Sequence, residues 1–381
     1  MHPTNTSSKT AAHGPVNLAL QGGGSHGAFT WGVLDTLLED GRLGFEGISG
    51  TSAGAMNAVA MAHGLAQAQG KSGADMRDSA RASLQAFWDG VVAMGSLQAT
   101  LSQAQRVPFD LLFGGLASMA GQQSAGQMVS DAFSGLWANS LSPYQTNPLD
   151  INPLHDFLER QFDFDRIAAY KDVKVFVLAT KVSNGKAEIF SGKRLTAQAV
   201  MASACLPTVF RAVEIEGEHY WDGGYSGNPA IHPLIYACES RDMLLVQINP
   251  LRRKALPTTA ADIMDRLNEI TFNAALIAEM RAIDFVKRLL SEGKLDSTRY
   301  KDVLMHRIDG GAALDAYPAS SKAQTDAALI YRLRDLGRQC ATHWLSQKLV
   351  HVGVDSSCNI ARDYLDDMRV PVQAQATSPK P

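Results

Sequence analysis

Two glycine-rich turns near the N-terminus, each directly after a short apolar segment, constrain the fold of this chain more than any other feature. The first, Gln21-Gly-Gly-Gly-Ser-His-Gly27, follows Val16–Leu20, and the second, Gly50-Thr-Ser-Ala-Gly54, follows Phe45–Ser49. Each turn leads into a segment with helical spacing of apolar residues, Ala28–Glu39 and Ser52 to about Leu65. Two strand–turn–helix units in succession predict the opening of a parallel α/β sheet with right-handed crossovers.

The rest of the sequence first continues this sheet and then becomes helical. Further strands are predicted at 173–180, 187–190, 211–215, 219–221 and 243–248, with a hairpin turn at 183–186 and a short helix at 196–204. Helical periodicity then dominates, at 262 to about 290 and at 321–350, with an edge strand at 303–308 between them. The predicted class is α/β, with a parallel-rich central sheet flanked by helices and a helical C-terminal region.

The composition suggests five segments. Residues 1–15 and 369–381 are predicted to be disordered, 16–250 to form the main domain, and 251–368 to form a helical accessory region. Within the main domain, 66–148 is an insertion rich in Gly, Ala and Gln. It is either a helical insertion packed on the core or an apolar lid able to touch lipid. The lid interpretation rests on apolar side chains at Phe109, Leu111, Leu112, Phe113, Phe133, Leu136 and Trp137.

Charge and composition exclude several classes of protein. A formal net charge of −3 with 19% charged residues argues against a nucleic-acid partner. No apolar run is long enough to span a bilayer, and residues 1–14 lack the apolar segment of a secretory signal, so we expect a cytoplasmic protein. Four scattered cysteines favour reduced thiols and no structural zinc.

The second turn has the G-x-S-x-G pattern of a nucleophilic serine. Gly50 and Gly54 permit a turn too tight for side chains, and the helix that follows presents its positive N-terminus to an anion near Ser52. The alternative is a purely structural role, in which the small residues let a helix pack closely on the sheet. We interpret Ser52 as a catalytic nucleophile.

The first turn fits two interpretations. Gly22, Gly24 and Gly27 match the G-x-G-x-x-G pattern of dinucleotide-binding folds. Those folds place an acidic residue at the end of the second strand, whereas Glu46 lies at its start. We therefore favour an anion cradle in which N–H groups of Gly23, Gly24 and Ser25, with that of Ala53, stabilise an oxyanion.

A serine nucleophile also needs a base. Asp222 ends a predicted strand and is followed by Gly223 and Gly224, which leave its carboxylate uncrowded. An Asp-Gly pair is also a common turn, so a structural role for Asp222 remains open. The other candidates are histidines, none of them in a glycine-marked loop: His219, His232, His306, His343 and His351.

In order and context, three motifs resemble the signatures of patatin-like phospholipases: Gly22–Gly27, Gly50–Gly54 and Asp222–Gly224. Ser203-Ala-Cys-Leu-Pro207 and Asn228-Pro229 resemble the surroundings of these signatures. The resemblance implies a three-layer fold and a Ser52–Asp222 dyad in place of a triad, with neither cofactor nor metal. It implies an oxyanion hole formed by the loop of Gly22, Gly23, Gly24, Ser25 and Gly27, with Ala53.

We therefore expect serine-dependent hydrolysis of a lipid or other long-chain acyl ester, with peripheral membrane contact as a further expectation. Two alternatives remain: hydrolysis of thioesters or polyesters by the same dyad, and a non-catalytic protein of lipid or granule surfaces. The sequence defines neither the head group nor the oligomeric state.

Overall fold

A computed structural model describes residues 13–100, 144, 153–207, 210–253, 256–318, 321–322 and 324–366. Their centre is an eight-stranded sheet in the order β5-β6-β3-β2-β1-β7-β8, with β4 also paired to β3. The strands are β1 Pro15–Leu20, β2 Gly44–Gly50, β3 Lys174–Lys181, β4 Ala187–Phe190, β5 Val213–Ile215, β6 Glu218–Asp222, β7 Asp242–Gln247 and β8 Leu304–Asp309. The pairs from β3 through β2, β1 and β7 to β8 are parallel, and those involving β4, β5 and β6 are antiparallel.

Helices cover both faces of this sheet. Those of the described residues are α1 Gly27–Asp40, α2 Ala53–Gln67, α3 Gly73–Thr100, α4 Pro153–Gln161, α5 Phe164–Ala169, α6 Ala197–Ser203, α7 His232–Ala237, α8 Ala260–Ser291, α9 Gly311–Asp315, α10 Ala327–Gln347 and α11 Ile360–Tyr364. Side chains alternate along β1, so that Leu18 and Leu20 join a core with α1, α2 and α10, while Ala19 joins another with α7, α8 and α11. The predicted three-layer α/β fold is confirmed.

The C-terminal part of the chain adds a strand to the sheet and a helix to its core. The predicted edge strand is present as β8, which pairs parallel to β7. Helix α10 packs against α1 so closely that a Cβ at Gly32 would overlap the carbonyl oxygen of Arg334. The helix begins at Ala327, later than the predicted residue 321, because the Asp326 side chain caps it by accepting a hydrogen bond from the Leu329 N–H at 3.0 Å.

The described part of the predicted insertion is helical. Helix α3 buries Phe87 and Trp88 in the core beside α2. The segment 107–137, predicted to be a lid or interfacial patch, lies outside the described residues. Within the described chain, no helix combines the length and hydropathy needed to cross a bilayer.

Candidate active site

The serine turn has the strained geometry that exposes a nucleophile. Ser52 has a φ of 54° and a ψ of −122° and immediately precedes α2. Two residues before and two residues after Ser52 only glycine fits, since a Cβ at Gly50 would overlap the Gly54 carbonyl and a Cβ at Gly54 would overlap that of Leu20. The Ser52 N–H donates to the hydroxyl of Ser203 at 2.9 Å. Because a non-glycine residue at positive φ is costly, the surroundings must hold the turn.

Asp222 lies beside Ser52 at the end of β6. Its carboxylate is 2% exposed and accepts hydrogen bonds from the Gly224 N–H, at 2.7 Å, and from the Ser52 side chain. Burial raises the pKa of Asp222 to about 7, and the two hydrogen bonds oppose this rise only in part. Gly223 lies next to Thr51 of the serine turn, and a Cβ at Gly223 would overlap the carbonyl of Leu178. The structure thus brings together the two residues predicted as a pair.

The histidines proposed as alternative bases have other partners. His219 is exposed and lies 3.8 Å from Glu214, and the ring of His306 contacts Asp242 at 2.9 Å. His232 contacts Glu279 and His351 contacts Asp355. In the part of the chain that the structure describes, no histidine hydrogen-bonds to Ser52 or Asp222.

The glycine loop packs directly on the serine turn. A Cβ at Gly22 would lie 2.6 Å from the Thr51 carbonyl oxygen and 2.8 Å from the Ser52 Cβ. The Gly22 N–H donates to Asn228 Oδ1 at 2.6 Å, and that of Gly27 to carbonyls within the turn. These two glycines therefore shape the loop without offering free donors.

The donors available to a ligand come from the remaining positions. Among the described residues, the N–H groups of Gly23, Gly24 and Ala53 have no hydrogen-bond acceptor. The hydroxyl of Ser25 is buried and likewise has no partner among them. Unpaired donors near a nucleophile are the arrangement that an oxyanion hole requires.

Glu46 takes no part in this loop. Its carboxylate accepts hydrogen bonds from the N–H groups of Glu239 and Ser240, at 2.7 and 2.8 Å. It therefore holds the connection that leads into β7, at the opposite end of the sheet from the glycine loop. Glu46 is therefore not placed where a dinucleotide ribose would need an acidic residue.

Several buried polar residues of the site were not predicted from the sequence to be functional. Gln21 follows β1 directly and Asn249 lies two residues after β7, and their amides bond to one another and to the loop. Asn228 holds Gly22, and Ser203 holds Ser52. The signal of Gln21 and Asn249 in the sequence is a polar side chain just after an apolar strand, a pattern that is also common in ordinary loops, whereas Ser203 and Asn228 lie in the segments that resemble the surroundings of the three signatures.

The similarity of this chain to known proteins agrees with the geometry. A family model described as patatin-like phospholipase matches residues 18–235, more than half of the 381 residues. The chain belongs to the patatin-like phospholipase family. No curated protein is similar enough in sequence to count as a relative.

Two solved structures that match this patatin-like chain share little sequence with it. VipD from Legionella pneumophila is 15% identical with a TM-score of 0.39, and the match covers 88% of this chain and 67% of VipD. The type III effector protein ExoU is 14% identical with a TM-score of 0.29, over 87% of this chain and 53% of ExoU. The chain thus spans about two thirds of the first protein and half of the second.

In the described part of this patatin-like fold, one pocket is lined by Ser52 and a second, larger one shares Phe210 with it. One is narrow, about 50 Å³, and almost entirely apolar; its lining residues include Ser52, Met56, Trp88, Val91, Met94 and Leu154. The other, about 480 Å³, is polar, with His155, Asp156, Arg211 and Glu214 in its wall. Phe210 lines both, so an apolar and a polar compartment meet close to the nucleophile.

Proposed function

We propose that this chain hydrolyses acyl esters of lipids, with Ser52 as nucleophile and Asp222 as its base. The observation that carries the proposal is the hydrogen bond between Ser52 and the buried carboxylate of Asp222, and the burial that raises the pKa of Asp222 to about 7 supports it. A base works best when its pKa is close to the operating pH. Membership of the patatin-like phospholipase family supports the same class of substrate.

The arrangement accounts for each step of a two-stage hydrolysis. Asp222 takes the proton as Ser52 Oγ attacks the ester carbonyl, and the N–H groups of Gly23, Gly24 and Ala53 stabilise the oxyanion. Collapse of the tetrahedral intermediate expels the alcohol, which receives the proton from Asp222, and leaves an acyl-enzyme. Asp222 then deprotonates a water that attacks the acyl group, and the fatty acid departs as Ser52 regains its proton. The N-terminus of α2 adds a favourable dipole.

The pockets favour a lipid over other acyl esters. The apolar pocket beside Ser52 suits an acyl chain, whereas the larger pocket, with its charged wall, suits the polar part of the substrate. Thioesters and polyesters use the same chemistry and remain alternatives that a substrate panel separates. A non-catalytic surface protein would have no need of a buried carboxylate at its serine turn.

We also propose that the protein is cytoplasmic and contacts membranes peripherally. Supporting this, α8 exposes Ile263, Met264, Leu267 and Ile270, each about half accessible, along one side. This apolar side, the α8 face, belongs to a helix that also packs Phe272 against Gly224, next to Asp222. A surface of this kind beside a lipid-processing site suits insertion into the headgroup region.

Ser52→Ala tests the catalytic proposal. A fluorophosphonate probe should label the wild type and fail to label the variant, and hydrolysis of phospholipid and of soluble esters should disappear. Ser83→Ala is the matched control, because this buried serine contacts His63, away from the site, and should keep both properties. Turnover retained by a pure, folded Ser52→Ala variant would refute the assignment. A wild type that neither reacts with the probe nor hydrolyses any ester would favour the surface-protein alternative.

A further inference from the structure

Lys322 lies directly behind the glycine loop. The residue is half-buried, but its ammonium group is enclosed by protein, which lowers the pKa of Lys322 to about 8. Its Nζ donates to Asn249 Oδ1 at 2.7 Å. Its backbone carbonyl packs on Gly24 so closely that a Cβ there would overlap it. Lys322 thus touches the loop through its backbone and, by way of Asn249, through its side chain.

The ammonium group helps to hold the direction in which the Asn249 amide points. An ammonium donates hydrogen bonds and accepts none, so the Asn249 atom that faces Lys322 must be the oxygen. The amide nitrogen then points the other way, where it donates to the Gly22 carbonyl at 2.8 Å and to Gln21 Oε1 at 3.2 Å. A flipped amide would also bring Oδ1 against the Gly22 carbonyl oxygen and Gln21 Oε1, so these two acceptors and the ammonium group favour the same orientation, and the ammonium group holds the amide from its oxygen side.

The Gly22 carbonyl in turn sets the direction of a candidate oxyanion donor. The C=O of Gly22 and the N–H of Gly23 belong to one planar trans peptide and point in opposite directions. Asn228 holds the preceding N–H, that of Gly22, at 2.6 Å, and its amide nitrogen also donates to the Gly22 carbonyl at 3.4 Å, longer than the 2.8 Å bond from Asn249. With Asn249 holding the carbonyl, the peptide has no freedom to rotate, and the Gly23 N–H is aimed away from Asn249.

We infer that Lys322 is a positioning residue for the oxyanion hole: it orients the Asn249 amide and thereby the peptide that carries the Gly23 N–H. The inference rests on the proposed function and makes the C-terminal part of the chain necessary for the chemistry at Ser52. Lys322 itself touches no substrate, and it acts through two hydrogen bonds in series.

The charges around Lys322 allow it to be replaced without leaving a buried charge unpaired. Glu269 and Asp265 of α8 attract its ammonium group, whereas Arg253 repels it. Glu269 keeps two other partners, Arg253 at 2.6 Å and Arg266 at 3.1 Å. His26, on the loop side, is neutral because burial lowers its pKa to about 3. Lys322→Met therefore removes an enclosed ammonium group and leaves a paired carboxylate, so the melting temperature should stay level or rise.

Two variants interrupt the chain of hydrogen bonds at different points. Lys322→Met removes the group that orients Asn249. Asn249→Asp keeps a partner for Lys322 but replaces the donor to the Gly22 carbonyl by an oxygen that repels it. With p-nitrophenyl butyrate as a soluble substrate, each should lower kcat by about 10- to 100-fold with KM nearly unchanged, since a donor is misdirected and not deleted. Fluorophosphonate labelling should slow by a similar factor.

The double variant decides between a shared and an independent role. If both residues act through the same peptide, Lys322→Met combined with Asn249→Asp should be no slower than the slower single variant. Lys301→Met is the control: this half-buried lysine donates to the carbonyls of Ile235 and Cys238 and should leave kcat unchanged.

Three results would overturn the inference: a Lys322→Met enzyme with kcat within twofold of the wild type, effects that multiply in the double variant, or a rise confined to KM. Should Lys322→Met fail to fold, Asn249→Asp alone decides the question, because it retains the lysine and its partner. If Ser52→Ala abolishes turnover while these variants do not affect it, only the role of Lys322 fails. If Ser52→Ala keeps turnover, the proposed function itself fails.

Discussion

The chemistry of the site depends on one carboxyl group and where it is placed. Asp222 is buried, and its carboxylate accepts hydrogen bonds from two neutral donors, the Gly224 N–H and Ser52 Oγ. Burial disfavours the charged form, and the pKa of Asp222 rises from its usual value of 3.8 to about 7. A carboxylate of ordinary pKa would hold a serine proton too weakly to help, so burial gives Asp222 the basicity that the proposed mechanism needs.

The pH dependence of turnover should report this group. Since the reaction needs the carboxylate form, kcat/KM for a soluble ester should rise tenfold per pH unit below about 7 and level off above it. Stopped assays between about pH 5 and 8 measure the profile, with Asp222→Asn expected to be inactive throughout. A profile that is flat over this range, or full activity in Asp222→Asn, would point to a different base.

The candidate site residues that could be predicted from the sequence are those that lie next to glycines. Ser52 and Asp222 each sit in a glycine-marked turn, and the structure places them together. Asn249 and Lys322 have no such mark, because an amide after a strand or a lysine in a loop is usually solvated. Their position becomes apparent only when distant segments of the chain meet at the glycine loop.

The N-terminal part of α8, unlike the rest of the helix, shows an inverted distribution of polarity. Its buried side carries Glu269, paired with Arg253 and Arg266, whereas its outer side exposes the apolar α8 face. A helix on a protein surface normally places its apolar stripe inward. The α8 face itself is uncharged, which suits a neutral interface more than an anionic one.

Replacing part of the α8 face should weaken membrane partitioning. For Leu267→Ser with Ile270→Ser we expect a partition coefficient on zwitterionic vesicles about tenfold lower, with little dependence on salt. Co-sedimentation measures the partitioning, and turnover of a soluble ester should stay unchanged. Val350→Ser with Val354→Ser removes two exposed apolar side chains elsewhere and serves as the control. Equal partitioning of all three proteins would show that the α8 face does not contribute to membrane binding.

Elements with strong periodicity were predictable, and their ends were less so. The apolar runs of β1, β3 and β7 and the helical spacing of α1 and α8 appear within a few residues of their predicted bounds. Helix α10 starts six residues late, because residues from Ser321 onward contact the glycine loop and Asp326 supplies the cap. The spacing of apolar residues along a helix carries no information about a tertiary contact of that kind.

At the scale of the molecule, both ends of the described chain build the same sheet. Strand β1 lies between β2 and β7, and β8 extends the sheet beyond β7. Helix α10 packs against α1, and the two backbones come close together at Gly32 of α1 and Gly337 of α10. Apolar residues of α1, β1 and α10 form one continuous core.

Truncation should therefore affect the whole fold. A chain ending at residue 303 loses β8 and α10 and exposes the apolar side of α1, so we expect loss of cooperative unfolding and rapid proteolysis. Circular dichroism on heating and limited trypsin digestion measure both. A chain ending at residue 368, which lacks only the tail predicted to be disordered, should melt like the full chain. A stable, active product ending at 303 would show that the later elements are dispensable.

The contacts of the glycine loop also have a consequence for biosynthesis. Its partners Asn228, Asn249 and Lys322 are added to the growing chain long after Ser52. Contacts between such distant segments form slowly, since the intervening chain must first be ordered. A ribosome-bound chain that already displays Ser52 therefore lacks these loop contacts until at least residue 322 has emerged. On the proposed function, such a nascent chain should not hydrolyse lipid, and activity should appear only after residue 322 has joined the fold.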